Sequence, residues 1–329
     1  VELQKPGFVM LAASYQDGDF KHDFNTVASA GADVDKITTG TPPPDDLLEY
    51  WHAQYKKLKD EVPSNFTVEK VGESPHCIRY SVTADNFGGT KTYAGLTIPK
   101  KKGSYPMIVT VPPAGNYGVP YWEYPNAIRM TITVFDHLFD NQENTYEKFN
   151  NPVWYFYKGA EKRETYYYYK SILGALRMLD YAATIPEWDQ RNMIAVGRSQ
   201  GGAFSFIMAA LNPKITAMAA DVPALCDHNA NHQNRSAGWP QLLQKSPGFA
   251  EGAKYFDTAN FAAHVKCPAI VSVGFIDTMC RPASVYSAFN NLKGEKNIYN
   301  GPLTGHGWGE KNIEFQLLPL DNFIKSQIK

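Results

Sequence analysis

Ser199 stands between Gly197 and Gly201 in the stretch AVGRSQGGAF, residues 195 to 204, an instance of G-x-S-x-G. A nucleophilic serine must stand clear of a sheet at a sharp strand-to-helix turn, where the backbone is strained and chain segments approach closely. Glycines on both sides supply the missing side chains. The flanks fit that turn, since NMIAV (192–196) reads as a buried strand and GAFSFIMAAL (202–211) as an apolar helix. A helix starting at the serine aims free N–H groups and the positive end of its dipole at the site, so charge developing on a substrate oxygen is stabilised there. The backbone N–H of Gln200 is the expected first oxyanion donor.

A serine hydroxyl becomes a nucleophile when a histidine takes its proton and a carboxylate fixes the tautomer of that histidine. On this kind of scaffold the chain order is serine, acid, histidine. Of eight histidines, His228, His232, His264 and His306 follow the serine. His306 lies in the glycine-flanked stretch LTGHGWG, suited to presenting an imidazole from a loop, whereas His264 in NFAAHVK reads as a partly packed structural residue. Asp277, in VSVGFIDTMCRP, follows a strand and so emerges at the same sheet edge as the serine. It is the expected acid.

A second oxyanion donor belongs in the loop after an earlier strand. In PMIVTVPPAGNYG (106–118), Pro112 and Pro113 have no N–H to give, while Gly115 and Gly118 permit close backbone approach. The backbone N–H of Ala114 is the expected donor, with Gly115 and Asn116 next. His228 and His232 stand four apart in CDHNANHQNR and could share a helical face. The surrounding asparagines suit a polar surface loop better than a ligand cage, and no HExxH glutamate accompanies them. Neither a metal nor a cofactor is expected.

These residues need a sheet with helices to hold them. PMIVTV (106–111), NMIAV (192–196), TAMAADV (216–222) and AIVSVG (269–274) are short apolar runs of the kind buried on both faces of a parallel sheet. Between several of them lie helical stretches, notably ETYYYYKSILGALRMLDYAATI (164–185), so the expected architecture is α/β, a mostly parallel sheet covered on both faces. DDLLEYWHAQYKKLKDEV (45–62) starts acidic, has lysines toward its end and spaces its apolar residues as an amphipathic helix. Before it, FVMLAASY suggests a β-like piece and the proline-rich TTGTPPPDD (38–46) resembles a linker, placing a boundary near residue 40.

The 329 residues carry 43% hydrophobic and 20% charged side chains and a formal net charge of -1, an ordinary globular balance without the basic surplus that nucleic acid demands. No window approaches the roughly 18 consecutive apolar residues of a membrane span. The chain starts at Val1, which suggests an upstream segment removed by processing. Cys77, Cys226, Cys267 and Cys280 lack CxxC spacing and read as buried thiols, with room for at most one bridge. Aromatic residues reach 13%, conspicuously in Tyr166 to Tyr169 and YGVPYWEYP. Aromatic faces can stack on sugars, but the tyrosine run is better explained by helix packing.

AVGRSQGGAFSF, AADVPALC, the block from YFDTANF to SAFNNL and PPPDDLLEYW together resemble the acetyl xylan esterase and cephalosporin-C deacetylase family, carbohydrate esterase family seven, over residues 41 to 329. The resemblance implies an α/β-hydrolase fold and a serine esterase that removes acetyl groups from xylan or xylo-oligosaccharides. It places the triad on Ser199, Asp277 and His306, the oxyanion donors on the backbone of Gln200 and Ala114, and a substrate-side proline lining a small acyl pocket on Pro223. It also implies an acetylated carbohydrate as partner, a homo-oligomer, and a periplasmic or secreted location where polymers are met. Two positions depart from the family pattern. ITVFDHLFDNQ (132–142), with Asp136 and His137, stands where R-G-Q is usual, and Gly307 follows His306 where glutamate is usual. Residues 1–40 lie outside the resemblance, as an N-terminal extension and the end of a preceding β-rich domain. The rival readings are a peptidase-like or lactone hydrolase on the same scaffold, and an inactive carbohydrate-binding relative.

Overall fold

In the computed structural model, residues 3–17, 20–115, 121–136, 152–307 and 318–328 are described. Eleven strands lie among them. β1 (Gly7–Asp17) and β2 (Phe20–Ala32) form an antiparallel hairpin paired only with each other. The other nine, β3 (Thr67–Glu73), β4 (Cys77–Asp85), β5 (Lys91–Pro99), β6 (Tyr105–Val111), β7 (Ile128–Ile132), β8 (Trp188–Arg198), β9 (Ala217–Asp221), β10 (Ala269–Gly274) and β11 (Lys296–Gly301), make one sheet in the order β11-β10-β9-β8-β6-β7-β5-β4-β3. From β6 to β11 all pairings are parallel, and β5, β4 and β3 extend the sheet in antiparallel fashion. The antiparallel extension shows no continuous apolar run, since β3 is almost wholly exposed, β4 is half-buried, and threonines and a glycine interrupt the buried β5.

The buried strands alternate between two cores, as a pleated sheet requires. Ile108, Ile194, Ala217, Ala219 and Ile270 face one cluster, while Val109, Ala195, Met218, Ala220 and Val271 face the other. Helices α1 (Leu47–Glu61), α2 (Tyr167–Ala182), α3 (Gln200–Leu211) and α4 (Pro282–Asn291) contribute buried residues to the larger core. α5 (Leu318–Gln327) covers the opposite face through Leu320 and Ile324. Helices therefore lie on both faces.

The amphipathic helix α1 buries Leu47, Trp51 and Leu58 completely, and the Trp51 indole donates to the carbonyl of Tyr255 at 2.8 Å. At its end the buried Arg177 of α2 donates to the carbonyls of Leu58 and Val62 at 3.1 and 2.8 Å. A cation there satisfies acceptors that the helix terminus leaves free and opposes its dipole. Tyr166, Tyr168 and Tyr169 are buried and Tyr167 is half-buried, so the tyrosine run is packing, as expected, though one of its hydroxyls also reaches the site.

The proline-rich stretch is a packed connector rather than a loose linker. Ile37 is buried, the Gly40 N–H donates to Asp227 Oδ1 at 2.7 Å, and Asn290 Nδ2 donates to the carbonyls of Val34 and Ile37, both at 2.8 Å. Phe8 packs edge-on against Phe275 with ring centroids 5.1 Å apart. The base of the hairpin is thus held against the main sheet domain by aromatic contact and by hydrogen bonds from the connector.

Candidate active site

β8 ends at Arg198 and α3 starts at Gln200, leaving Ser199 alone at the turn with φ 55 and ψ −118. A non-glycine residue there carries strain of about 1–3 kcal/mol that its surroundings must enforce. They do so through the backbone: Ser199 N–H donates to the Asp221 carbonyl at 2.8 Å, and its own carbonyl accepts from Ala203 and Ala224 at 3.0 and 2.9 Å. The glycines are a steric necessity. A Cβ on Gly197 would lie 2.2 Å from the Gly201 backbone, and one on Gly201 would lie 1.9 Å from the Val111 carbonyl oxygen.

The three side chains singled out in the sequence come together. His306 Nε2 lies 3.0 Å from Ser199 Oγ, and His306 Nδ1 lies 2.8 Å from Asp277 Oδ2. Asp277 is fully buried after β10, and its other oxygen accepts the N–H groups of Met279 and Cys280 at 2.8 and 2.9 Å. Its carboxylate is therefore held in one orientation toward the imidazole. With Nδ1 donating to the aspartate, Nε2 is left as an acceptor facing the hydroxyl, the arrangement that general-base activation of an alcohol requires.

Four supporting groups were not read from the sequence. Arg198, Asp221 and Ser272 occupy one row across β8, β9 and β10, register partners in successive parallel pairs. Arg198 Nη1 pairs with Asp221 Oδ2, Ser272 Oγ donates to Asp221 Oδ1, and Arg198 Nη2 donates to the main-chain carbonyls of His306 and Gly307. Burial raises the Asp221 carboxyl above its usual range, and Arg198 and Ser272 pull against that rise. The fourth is Tyr155, whose hydroxyl, like that of Tyr168 at 2.7 Å, donates to Gln200 Oε1, while Gln200 Nε2 donates to the Pro112 carbonyl at 3.2 Å. None of these carries a local motif. Arg198 is one of the two free positions of G-x-S-x-G, and only its place at a strand end marks it.

Of the oxyanion candidates, Gln200 opens α3 and is fixed by those side-chain bonds. Ala114 lies just beyond a segment pressed on the same helix start, where Val111 meets Gly201 and Pro112 accepts from Gln200. Gly115 has φ +84, a conformation that favours glycine. Pro223 is buried after β9 with its Cα where a Cβ on Gly202 would come within 3.0 Å. Asn116, Gly118 and His137 lie outside the described residues, and Asp136 lines a groove with Lys158 and Glu164.

The segment from Leu225 to Ala230 is wholly buried, which corrects the surface-loop reading of CDHNANHQNR for its first half, whereas Asn231 to Asn234 are exposed as expected. Asp257 is the reason: its carboxylate accepts the N–H groups of Asp227, His228 and Ala259 and draws the chain inward. His228 and His232 do not share a face, since His228 is buried and His232 exposed. Burial pushes the His228 imidazole down to about 4. His264 is half-buried, and burial lowers its imidazole as well. Donor atoms of Asp277, Cys280 and His306 lie within 4.8 Å of one another. The aspartate and histidine are bonded to each other, and burial raises the Cys280 thiol far up, so this cluster is an acid–base pair beside a protonated thiol. The four cysteines are free thiols.

The elbow, the row behind it and the largely parallel sheet define an α/β hydrolase. The acetyl xylan esterase (AXE1) family model matches residues 32–237 and 245–316. The chain belongs to the acetyl xylan esterase family and is a carboxylic ester hydrolase. The match starts at residue 32, so it takes in the connector as well as the expected domain from 41. Acetyl esterase Axe7A of Xylanibacter ruminicola is 27% identical over 348 residues, covering 99% of this chain and 76% of that protein. An acetyl xylan esterase from a Paenibacillus strain shares the fold with TM-score 0.74 and 22% identity, over 89% of this chain and 98% of that one. Acetyl xylan esterase 1 from a Thermoanaerobacterium strain does so with TM-score 0.70 and 18% identity, over 89% and 97%. Among the described residues no helix is long and apolar enough to cross a membrane.

Proposed function

We propose that the protein is a serine esterase that removes acetyl groups from acetylated xylan or xylo-oligosaccharides through an acyl-enzyme intermediate. The observation that carries this reading is the hydrogen-bonded line from Ser199 Oγ through His306 to Asp277 at 3.0 and 2.8 Å, set on a strained elbow. Ser199 Oγ attacks the acetyl carbonyl while His306 Nε2 takes its proton. The oxyanion is met by the N–H groups of Gln200 and Ala114. The tetrahedral adduct collapses as His306 returns the proton to the departing sugar oxygen, leaving acetyl-Ser199 and a free sugar hydroxyl. A water then repeats the sequence, giving up its proton to His306 and releasing acetate. Asp277 holds Nδ1–H and stabilises the imidazolium in both halves.

Pro223 lines a small acyl pocket in this reading, and cephalosporin C is a second acetyl ester the site would accept. The enzyme works outside the cytoplasm, where the polymer is met, and as a homo-oligomer; no nucleic acid, membrane or metal takes part. Acetate release from acetylated xylan, xylo-oligosaccharides and cephalosporin C, measured beside hydrolysis of p-nitrophenyl esters of increasing chain length, tests the assignment. The expected result is activity on acetyl esters that falls with acyl length and disappears in Ser199→Ala. Equal rates for the wild type and that variant, or preference for a peptide amide, overturns it.

A further inference from the structure

Between the first strand of the hairpin and the loop 233–236 the structure contains a cavity of about 410 Å³. Lys5, Arg235 and Arg281 line it, and no described aspartate or glutamate does. Arg235 is committed, since it pairs with Asp227 at 2.8 Å. Arg281 is not. Its Nη1 reaches the thioether of Met10 at 3.4 Å, and its Nε is buried without a partner. A thioether is a weak acceptor, and a guanidinium drawn partly out of water without an anion leaves an electrostatic demand unmet. Arg281 also stands at the N-cap position of the ten-residue helix α4, without a capping side-chain bond, so the partial positive charge of a helix start adds to the same wall. Gln233 and Asn234 also line the cavity, and their amides are suited to bonding hydroxyl groups.

The cavity is joined to the acid of the site by a short, fixed loop. Arg281 follows Asp277 by four residues, so their Cα atoms are at most about 15 Å apart. The N–H groups of Met279 and Cys280 between them are tied to Asp277 Oδ1. A ligand group gripped at Arg281 therefore lies within a few sugar units of the scissile ester.

We propose that this cavity is a subsite for a carboxylate, that of a uronic acid unit carried by the acetylated carbohydrate. Arg281 grips the group through its planar fork and Lys5 adds to the attracting field. The inference rests on the carbohydrate esterase reading above. A substrate bearing the acid gains affinity at a point remote from the bond that breaks, which lowers KM and leaves the chemical step unchanged.

The test compares acetylated xylo-oligosaccharides with and without a uronic acid branch. In the wild type the acidic substrate is expected to show a KM about tenfold lower, a factor that shrinks as salt is raised. Arg281→Gln brings that KM up to the neutral value, with kcat and p-nitrophenyl acetate hydrolysis unchanged. Lys5→Gln, a change at an exposed side chain, raises it about twofold to threefold. Equal KM values for both substrates in the wild type overturn the subsite, as does an equal loss on acidic, neutral and p-nitrophenyl substrates in Arg281→Gln. Calorimetric titration of acetyl-free oligosaccharides separates the two readings. Acidic chains that bind more tightly, and lose the gain in Arg281→Gln, uphold the subsite even where no acetate is released, and only the esterase reading then falls. A free uronic acid that binds as well as the acidic oligosaccharide marks a site for a free carboxylate and overturns the proposal.

Discussion

The guanidinium of Arg198, one residue before Ser199, donates to the main-chain carbonyl of His306, whose imidazole is bonded to that same serine. The histidine loop is therefore held at its backbone by one residue and met at its ring by the next. The other end of the guanidinium is tied to Asp221 and, through it, to Ser272.

Arg198→Leu strands the buried Asp221 carboxylate and is expected to cost about 3–5 kcal/mol of stability. The double variant Arg198→Leu/Asp221→Leu removes both charges and recovers most of that loss. It leaves the carbonyls of His306 and Gly307 unclamped, so kcat for p-nitrophenyl acetate stays down by about 10²-fold while KM changes little. Denaturant melts and steady-state kinetics on the three proteins read this out. A double variant that regains full kcat would show that Arg198 serves stability alone.

Ala114→Pro removes one backbone N–H at the expected oxyanion position. The loss of such a donor costs about 3–4 kcal/mol in the transition state, a fall of about 10²–10³ in kcat. Circular dichroism and thermal melting of the same sample establish that the fold survives. A kcat within threefold of wild type assigns the second donor elsewhere.

The stability of the fold is expected to weaken in acid through His228. Its native imidazole titrates at about 4, against about 6.5 in the unfolded chain, so the unfolded state takes up the proton first. Stability falls as pH drops through the window from 6.5 to 4, by up to about 3 kcal/mol from this residue. Urea denaturation of the wild type and His228→Leu at pH 7 and pH 4.5 isolates the term, because the other titrating groups are common to both. A parallel loss in the two proteins would remove His228 from the acid response.

Gly201→Ala places a methyl group 1.9 Å from the Val111 carbonyl oxygen, a backbone atom that cannot turn aside. The expected cost is about 3 kcal/mol or more, with loss of activity as the elbow shifts. Gly248→Ala, where a Cβ meets nothing within 4 Å, is the neutral control. Similar melting temperatures for both variants would contradict the close packing at the elbow.

What the sequence revealed follows from how far each signal reaches along the chain. Ser199 announces itself because the glycines and the strand-to-helix switch are local, and Asp277 and His306 follow from strand position and glycine context. Arg198, Asp221 and Ser272 stayed hidden because their meaning lies in the alignment of three strands, which no single window contains. The asparagine-rich segment after β9 misled for a related reason. Its polarity suggests water, and Asn231 to Asn234 do meet it, whereas at Asp227 and His228 the Asp257 carboxylate, about thirty residues on, supplies the hydrogen bonds that allow burial. The edge strand β3 was missed since it is open to solvent and needs no continuous apolar run, and β5 because threonines and a glycine interrupt its apolar residues although most of it is buried.

The adjacency of Arg198 and Ser199 makes the alignment of β8 unforgiving. Side chains along a strand change sides at every step, so a slip by one residue against β9 would lift the cation out of its row and present it where the hydroxyl belongs. Misalignment would thus undo the Arg198 contacts and the Ser199 turn together. Correct pairing of β8 with β9 sets the Arg198 side chain in its row and the Ser199 turn at the strand end in one step.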